Sequence, residues 1–203
     1  TMEDHVLAAI GRRHASADTV RAMELVRAYH FRDVNMDLIA GLPEDTPDGF
    51  RRSLDKCLEM GASNITVHTL ALKKGSRILT EDLSIPDGAA VQAMLDYAAP
   101  TLRSAGFAPY YLYRQKYMSG SFENVGWCRP GGECWYNVDI MSELCSILSF
   151  GAGGSTKMVE PGTNHIERVF NVKYPKEYTE RPEKVLANQA AFAEFYAKYV
   201  PET

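Results

Sequence analysis

The hydrophobic pattern in the first half of the chain alternates between short apolar runs and the helical period. A run from about Asp33 to Ile39 predicts a short buried strand, which the Gly-Leu-Pro at 41–43 ends. Apolar residues then recur at helical spacing, at Phe50, Leu54, Cys57 and Leu58. A β-branched run at 64–71 predicts the next strand. Strand, helix and strand with short turns predict a parallel sheet with right-handed crossovers.

Capping residues mark the ends of further elements. Ser16 is a candidate N-cap for a helix that ends near position 30, and Thr46 with Pro47 starts the next helix. Gly61 suits the left-handed position that follows a helix. The remaining predicted elements are a helix at 87–104, a strand at 109–113, a strand or hairpin at 165–172, a helical turn at 174–178 and a helix at 182–199.

The pattern loses its period between 114 and 136, where glycine, aromatic and basic residues are frequent. A loop of this length inside a compact domain is usually functional or disordered. We therefore expect two parts, 1–113 with alternating strands and helices, and 114–203 with this loop, a Gly-rich segment and a closing helix. Basic residues flank aromatic residues in and near this segment, and such a wall would suit a planar substrate that carries carboxylates. The alternative is that these basic side chains are solvated charges on a loop. The basic residues are Arg114, Lys116, Arg129 and Lys157, and the aromatic residues are Tyr113, Tyr117, Trp127 and Trp135.

Composition narrows the class of protein. The chain has 203 residues, of which 45% are apolar and 24% charged, as is typical of a globular protein. A formal charge of -4 with no basic run argues against a nucleic-acid partner. No apolar run approaches the length of a bilayer span and the N-terminus lacks a signal-peptide pattern, so we expect no membrane association and a cytoplasmic location.

The four cysteines form neither a CxxC pair nor a close group of three. They are Cys57, Cys128, Cys134 and Cys145. We therefore expect free thiols, and no metal site built by this chain alone.

Asp37 is the residue of the first strand that most needs an explanation. A carboxylate in an apolar run is costly unless it is paired or hydrogen-bonded. Asp37 and Ala71 both fall at the carboxyl ends of predicted parallel strands, where such sheets bind ligands. An Asp there can accept hydrogen bonds from a ribose diol, backbone near Ala71 can pair with an adenine edge, and Arg12 can hold a carboxylate. The alternatives are a structural Asp and an ordinary surface arginine.

A Gly-rich segment at 151–155, Gly-Ala-Gly-Gly-Ser, offers consecutive backbone amides without obstructing side chains. Such a segment can form a nest for an anion or a cofactor edge. It has neither the Walker spacing nor the full dinucleotide fingerprint, so a tight turn between core elements is at least as well supported.

Several of these stretches together resemble the oxygen-independent coproporphyrinogen III oxidases, radical S-adenosylmethionine enzymes of haem synthesis. The stretches are Ile10-Gly11-Arg12-Arg13-His14, Asp37–Pro43 with Thr46, and Gly151–Ser155. Others resemble the branch called coproporphyrinogen dehydrogenase, namely Tyr111–Lys116, Glu123–Gly126 and Ser155–Lys157. The resemblance runs from Thr1 to about Val172.

The resemblance implies an α/β fold, the C-terminal part of a radical-SAM partial (β/α)6 barrel with a C-terminal substrate-covering extension. It implies that S-adenosylmethionine is bound by Arg12 at the methionyl carboxylate, by Asp37 at the ribose hydroxyls and by Ala71 beside the adenine. Lys157, after the turn containing Gly151 and Gly153, would face the substrate or a second cofactor molecule.

The family's CxxxCxxC motif, which holds a [4Fe-4S] cluster, is absent from this sequence. We therefore expect the cluster ligands outside this chain, and no turnover by the chain alone. The intact family converts coproporphyrinogen III to protoporphyrinogen IX by oxidative decarboxylation, so the implied partner is a tetrapyrrole substrate. The open part-barrel also predicts pairing with another copy through exposed strand edges.

Two other functions compete with this interpretation. Close relatives in the family act as haem chaperones that bind haem without making protoporphyrinogen. The chain could also be a non-catalytic binding or interaction module in its own right.

Overall fold

The computed structural model describes residues 1–72, 77–81, 83–114 and 122–200. Lys116, which the sequence proposes as a substrate ligand, lies outside these ranges. The chain forms two compact units, Thr1–Cys134 and Trp135–Thr203. Among the described residues, no helix combines the length and the apolar character needed to cross a bilayer.

The first unit alternates helices and strands over most of its length. In chain order its elements are α1 (Asp4–Ala9), α2 (Ser16–Ala28), β1 (Asn35–Ala40), α3 (Pro47–Glu59), β2 (Asn64–Thr69), α4 (Arg77–Thr80), α5 (Gly88–Ser104), β3 (Ala108–Tyr113) and β4 (Asn124–Cys128).

The four strands form one sheet in the order β1-β2-β4-β3. β1 and β2 are parallel, as predicted, with Asp37 opposite Thr66. β4 runs antiparallel to both of its neighbours, β2 and β3, so the predicted strands β1, β2 and β3 run in one direction and the unpredicted β4 makes the sheet mixed. β4 lies inside the segment 114–136 that lacks a clear period, and it pairs into the sheet before the first unit ends. The compact units therefore divide after Cys134 and not after Tyr113.

Helices α3 and α5 cover one face of this sheet, which we call the covered face. The side chains that pack there include Leu38, Leu54, Ile65, Met94 and Trp127, all at most 5% exposed. Apolar burial on this scale is the main favourable term in folding. A second apolar cluster joins Val6 of α1 to Leu42 and Leu70, which follow β1 and β2 in sequence.

Helix ends follow the capping rules with one small shift. The Thr46 hydroxyl accepts a hydrogen bond from the Gly49 amide at 3.0 Å, with Pro47 in the first turn as predicted. At α2 the N-cap position is Ala15 instead of Ser16, because the Asp18 carboxylate accepts from the Ala15 amide at 2.9 Å and starts the helix one residue earlier.

The second unit combines a hairpin with three helices. Its elements are α6 (Trp135–Ser142), β5 (Ser155–Val159), β6 (Ile166–Phe170), α7 (Pro175–Glu180) and α8 (Pro182–Tyr199). β6 confirms the strand predicted within 165–172, and it pairs antiparallel with β5, which the sequence did not predict. α8 has the predicted bounds.

Candidate functional site

The sheet face opposite α3 and α5, which we call the open face, carries polar side chains in two rows. Successive residues of a strand point to opposite faces, so the neighbours of the buried Leu38, Val67 and Trp127 lie on the open face. One row joins Asn35, Thr66 and Tyr111, and the other joins Asp37, His68 and Tyr113.

The first row is joined by hydroxyl contacts. The Thr66 hydroxyl donates to Asn35 Oδ1 at 3.1 Å and lies 3.5 Å from the Tyr111 hydroxyl. The Tyr111 ring lies against Gly126 of β4, where an added Cβ would collide with the ring. Glycine at 126 thus allows the aromatic ring to approach the backbone of the open face closely.

Asp37 is an exposed residue, with 61% of its side chain accessible, so the prediction of a buried acid is wrong. β1 has only one neighbour among the described strands, and Asp37 points to its open face. Contact with His68 lowers the pKa of the Asp37 carboxyl; partial desolvation opposes this shift, and hydrogen bonding to Asn35 adds to it. The carboxylate is therefore ionised at neutral pH.

A hollow of about 780 Å³ opens beside these residues, and it is the size of a typical small-molecule site. Its lining contains Arg12, Asp37, His68 and Ala71. Every residue from 34 to 39 also lines it. Consecutive strand residues point to opposite faces, so the hollow must run along the outer edge of β1 as well as over the open face. We call this volume the β1 hollow.

The structure thus brings together the three residues that the resemblance assigns to S-adenosylmethionine. Arg12 follows α1, where its amide donates to the Leu7 carbonyl at 2.8 Å, and its side chain is exposed. Within the described part of the chain the Arg12 guanidinium makes no hydrogen bond or ion pair, so its donors are available to a ligand. The roles given to Arg12, Asp37 and Ala71 stay predictions.

Where the structure describes them, the residues predicted to form a substrate wall have separate local environments. Trp127 is 5% exposed in the core of the covered face, with Arg103 over its ring at 5.3 Å, and its role as a substrate ligand stays a prediction. Arg129 is exposed and stacks on Phe107 at 4.8 Å. Arg114 pairs with Glu123 at 3.1 Å, with both side chains exposed.

The Gly-rich segment of the second unit forms a tight turn. Gly151 and Gly153 have φ of +91° and +73°, a backbone region that favours glycine. The Gly153 amide donates to the Val172 carbonyl at 2.8 Å, and the Gly154 amide donates to the Gly151 carbonyl at 3.3 Å. These two amides are therefore used within the turn, and the expectation of an open anion nest is not met at them.

Lys157 of β5 is only 7% exposed, and its Nζ donates to the Ile140 carbonyl at 3.3 Å. It lines a cavity of about 240 Å³ together with Ser149, Ser155 and an ion pair between Arg168 and Glu143. Lys157 thus belongs to a small polar cavity of the second unit. Its assignment to a substrate or a second cofactor molecule stays a prediction.

The four thiols do not form a cluster site. Cys57 and Cys128 are buried, and burial raises the pKa of each thiol to about 11, which disfavours the thiolate that a metal needs. Cys134 and Cys145 are exposed. Across the described ranges no three His, Cys, Asp or Glu side chains converge as a metal-binding group. A [4Fe-4S] cluster does not fit the described residues of this chain.

Sequence reasoning missed the polar partners of Asp37 on the open face. In β2 the polar residues Asn64, Thr66 and His68 alternate with Ile65 and Val67. That period of two is the signal of a strand with one apolar and one polar face, and it could have identified Thr66 and His68 as neighbours of Asp37.

Comparisons with known proteins agree with the motif resemblance. The chain is 37% identical over 181 residues to the oxygen-independent coproporphyrinogen-III oxidase-like protein HemZ of Bacillus subtilis, covering 88% of the chain and 36% of that protein. It is 30% identical over 182 residues to the heme chaperone HemW of Mycobacterium tuberculosis strain H37Rv, covering 86% of the chain and 41% of that protein. No family model matches the chain.

A solved structure supports the fold. The radical SAM enzyme coproporphyrinogen III oxidase (HemN) of Escherichia coli superposes with a TM-score of 0.65 at 17% identity, over 89% of the chain and 41% of that structure. The chain therefore spans about two fifths or less of the length of these proteins. The motif resemblance is confirmed. The chain corresponds to one part of these longer proteins, and it belongs to the group of radical S-adenosylmethionine proteins that contains HemZ, HemW and HemN.

Proposed function

We propose that the first unit forms part of an S-adenosylmethionine site in a radical S-adenosylmethionine protein that acts on a tetrapyrrole. The observation that carries this proposal is the presence of Arg12, Asp37 and Ala71 in the β1 hollow. Ala71 follows the carboxyl end of β2, the end at which parallel sheets bind ligands. Asp37 is the third of the six residues of β1, so the expectation that it lies at a strand end is wrong.

Each residue has a distinct role in this proposal. The ionised Asp37 accepts hydrogen bonds from the ribose diol, and Arg12 forms two parallel hydrogen bonds with the methionyl carboxylate. Ala71 borders the adenine. Bound S-adenosylmethionine would supply radical chemistry, and in this family that chemistry needs a [4Fe-4S] cluster, which the described residues of this chain do not fit.

Calorimetric titration of the 203-residue chain with S-adenosylmethionine tests the proposal. We expect Asp37→Asn to weaken binding by about tenfold or more, since hydrogen bonds to a charged group contribute about 1.5–3 kcal/mol. The matched control is Asp96→Asn, because Asp96 is an exposed carboxylate on α5 that does not line the β1 hollow. Equal affinities of the two variants would overturn the proposal.

Arg12→Gln sharpens the same test. The variant should bind S-adenosylmethionine more weakly than the unmodified chain but should bind 5′-methylthioadenosine equally well, because that nucleoside lacks the carboxylate. An equal loss for both ligands would show that Arg12 does not contact the methionyl group.

For the intact protein we propose the oxidative decarboxylation of coproporphyrinogen III, with Arg114 and Lys116 still to be tested as substrate ligands. A relative named as a heme chaperone supports a second function, haem binding without catalysis. Titration of the chain with haem separates the two. A stoichiometric shift of the Soret band favours the chaperone, and its absence favours the oxidase.

The outer edge of β1 supports an expectation about assembly. Within the described residues β1 pairs only with β2, and an open strand edge is a template for another strand. We propose that a strand of another copy or of another polypeptide covers this edge. Light scattering that shows a monomer whose β1 amides exchange rapidly would contradict pairing between copies.

A further inference from the structure

We propose that His68 is a positioning residue that holds the Asp37 carboxylate for the ribose of the bound nucleoside, and that Tyr113 fixes the imidazole in turn. This inference rests on the proposed S-adenosylmethionine site. It adds a chain of three residues from three strands, of which only Asp37 has a role in the family resemblance.

The three side chains follow one another across the open face. His68 Nε2 lies 3.6 Å from Asp37 Oδ1, and His68 Nδ1 lies 3.3 Å from the Tyr113 hydroxyl. The His68 and Tyr113 rings meet edge to face, with centroids 6.3 Å apart and planes at 71°. All three residues line the β1 hollow.

The arrangement is compatible with a ring proton directed at Asp37. If the Tyr113 hydroxyl donates to Nδ1, the ring proton is on Nε2, which faces Asp37. At 3.6 Å the contact with Asp37 is electrostatic, since it is longer than a hydrogen bond. An N–H dipole directed at the carboxylate still favours its ionised form and its orientation.

The contacts hold the Asp37 carboxylate and leave it accessible to a ligand. Asn35 Nδ2 donates to Asp37 Oδ1 at 2.8 Å, and His68 approaches the same oxygen. Hydrogen bonding from Thr66 also contributes to the lowered pKa of Asp37. With 61% of its side chain accessible, the carboxylate can still accept from the ribose hydroxyls.

A purely structural role explains His68 less well. Its side chain is 24% exposed and belongs to neither apolar cluster of the first unit. A histidine needed only for packing would be expected in the covered core, with Ile65 and Val67 of the same strand.

Two nucleosides separate positioning from packing. Adenosine and 2′,3′-dideoxyadenosine differ only in the hydroxyls that Asp37 would bind, and NMR titration of the 203-residue chain measures both affinities. We expect His68→Phe to weaken adenosine binding about five- to tenfold and to leave 2′,3′-dideoxyadenosine binding unchanged. His68→Gln should recover most of the affinity, because its amide N–H reaches the position of Nε2.

A double-mutant cycle tests the route through Asp37. In the Asp37→Asn background, His68→Phe should cause no further loss of adenosine affinity. Tyr113→Phe, which removes only the hydroxyl, should cause a smaller loss with the same selectivity for the diol. If the His68 variants fail to fold, the Tyr113→Phe variant tests the same diol-selective loss of affinity.

The outcomes distinguish this inference from the proposed function. If the unmodified chain binds neither adenosine nor S-adenosylmethionine, the proposed function fails and the inference fails with it. If Asp37→Asn weakens binding but His68→Phe and Tyr113→Phe do not, only the inference is overturned. An equal loss for both nucleosides would also overturn it, since His68 would then act on the shape of the hollow.

Discussion

The two faces of the four-stranded sheet are built from alternate residues of the same strands, yet they differ in burial and in polarity. On the covered face Leu38 and Val67 are at most 3% exposed beneath α3 and α5. On the open face their chain neighbours Asp37 and His68 line a solvent-accessible hollow. One face provides apolar burial, whereas the other presents charged and hydrogen-bonding groups.

This difference separates stability from binding within single strands. Burial of apolar surface stabilises the fold, whereas polar groups on an accessible face contribute little to the free energy of unfolding. Substitutions on the covered face should therefore lower stability, and substitutions on the open face should lower ligand affinity.

The largest effect is expected on the covered face. Leu54 is fully buried, so Leu54→Ala should lower the free energy of unfolding by about 2–5 kcal/mol through lost burial and a residual cavity. Urea denaturation followed by circular dichroism measures it. Leu25→Ala is the matched control, because Leu25 is 55% exposed on α2, and it should change stability by less than about 0.5 kcal/mol. Similar losses for both would remove the distinction between the faces.

A smaller loss of stability is expected at Gly126, where the Tyr111 ring packs against the open face. Gly126→Ala would place a methyl group against the Tyr111 ring and should cost about 1–3 kcal/mol of stability as the ring moves aside. Gly88→Ala is the control, since a Cβ at Gly88, the start of α5, meets no atom within 4 Å. A neutral Gly126→Ala, measured by thermal unfolding, would show that the ring position is not constrained.

The smallest effect on stability should come from acid acting on Asp37. Its pKa is lowered in the folded chain, so its contribution is present above the pKa of the unfolded chain and is lost as the pH falls through the folded pKa. Nucleoside affinity should fall over the same acidic range, below the usual titration of an aspartate. Titrations that extend from pH 7 to well below the usual pKa of an aspartate measure this loss, and Asp37→Asn should lack this dependence.

The helices were the elements most accessible to prediction, because helix spacing and caps are local signals. Thr46, Pro47 and the bounds of α8 follow directly from the sequence. β4 was missed because its five residues offer only Val125 and Trp127 as an alternating signal, with Gly126 between them.

Prediction of the open face required information that is not local in the sequence. Asp37 was expected to be buried because three apolar residues surround it in sequence, but the face on which it lies has no covering helix from α3 or α5. Trp127 was assigned to a substrate wall because its neighbours are basic, although pairing of β4 with β2 directs its ring into the core. The family resemblance identified Arg12 and Asp37. The sequence signal for His68 was the period of two in β2, and its contact with Asp37 became visible through the pairing of β1 with β2.

The position of β4 sets the order in which the sheet can be completed during synthesis. β2 and β3 are joined only through β4, which is the last of the four strands to leave the ribosome. Until residues 124–128 emerge, β3 has no partner strand in this sheet. The pairing of β4 with β2 joins residues 64–67 to residues 125–128, a long sequence separation that slows folding. A nascent chain that stops at Tyr113 would thus expose one unpaired edge of β2 and both edges of β3, so chaperone capture should peak just before β4 appears.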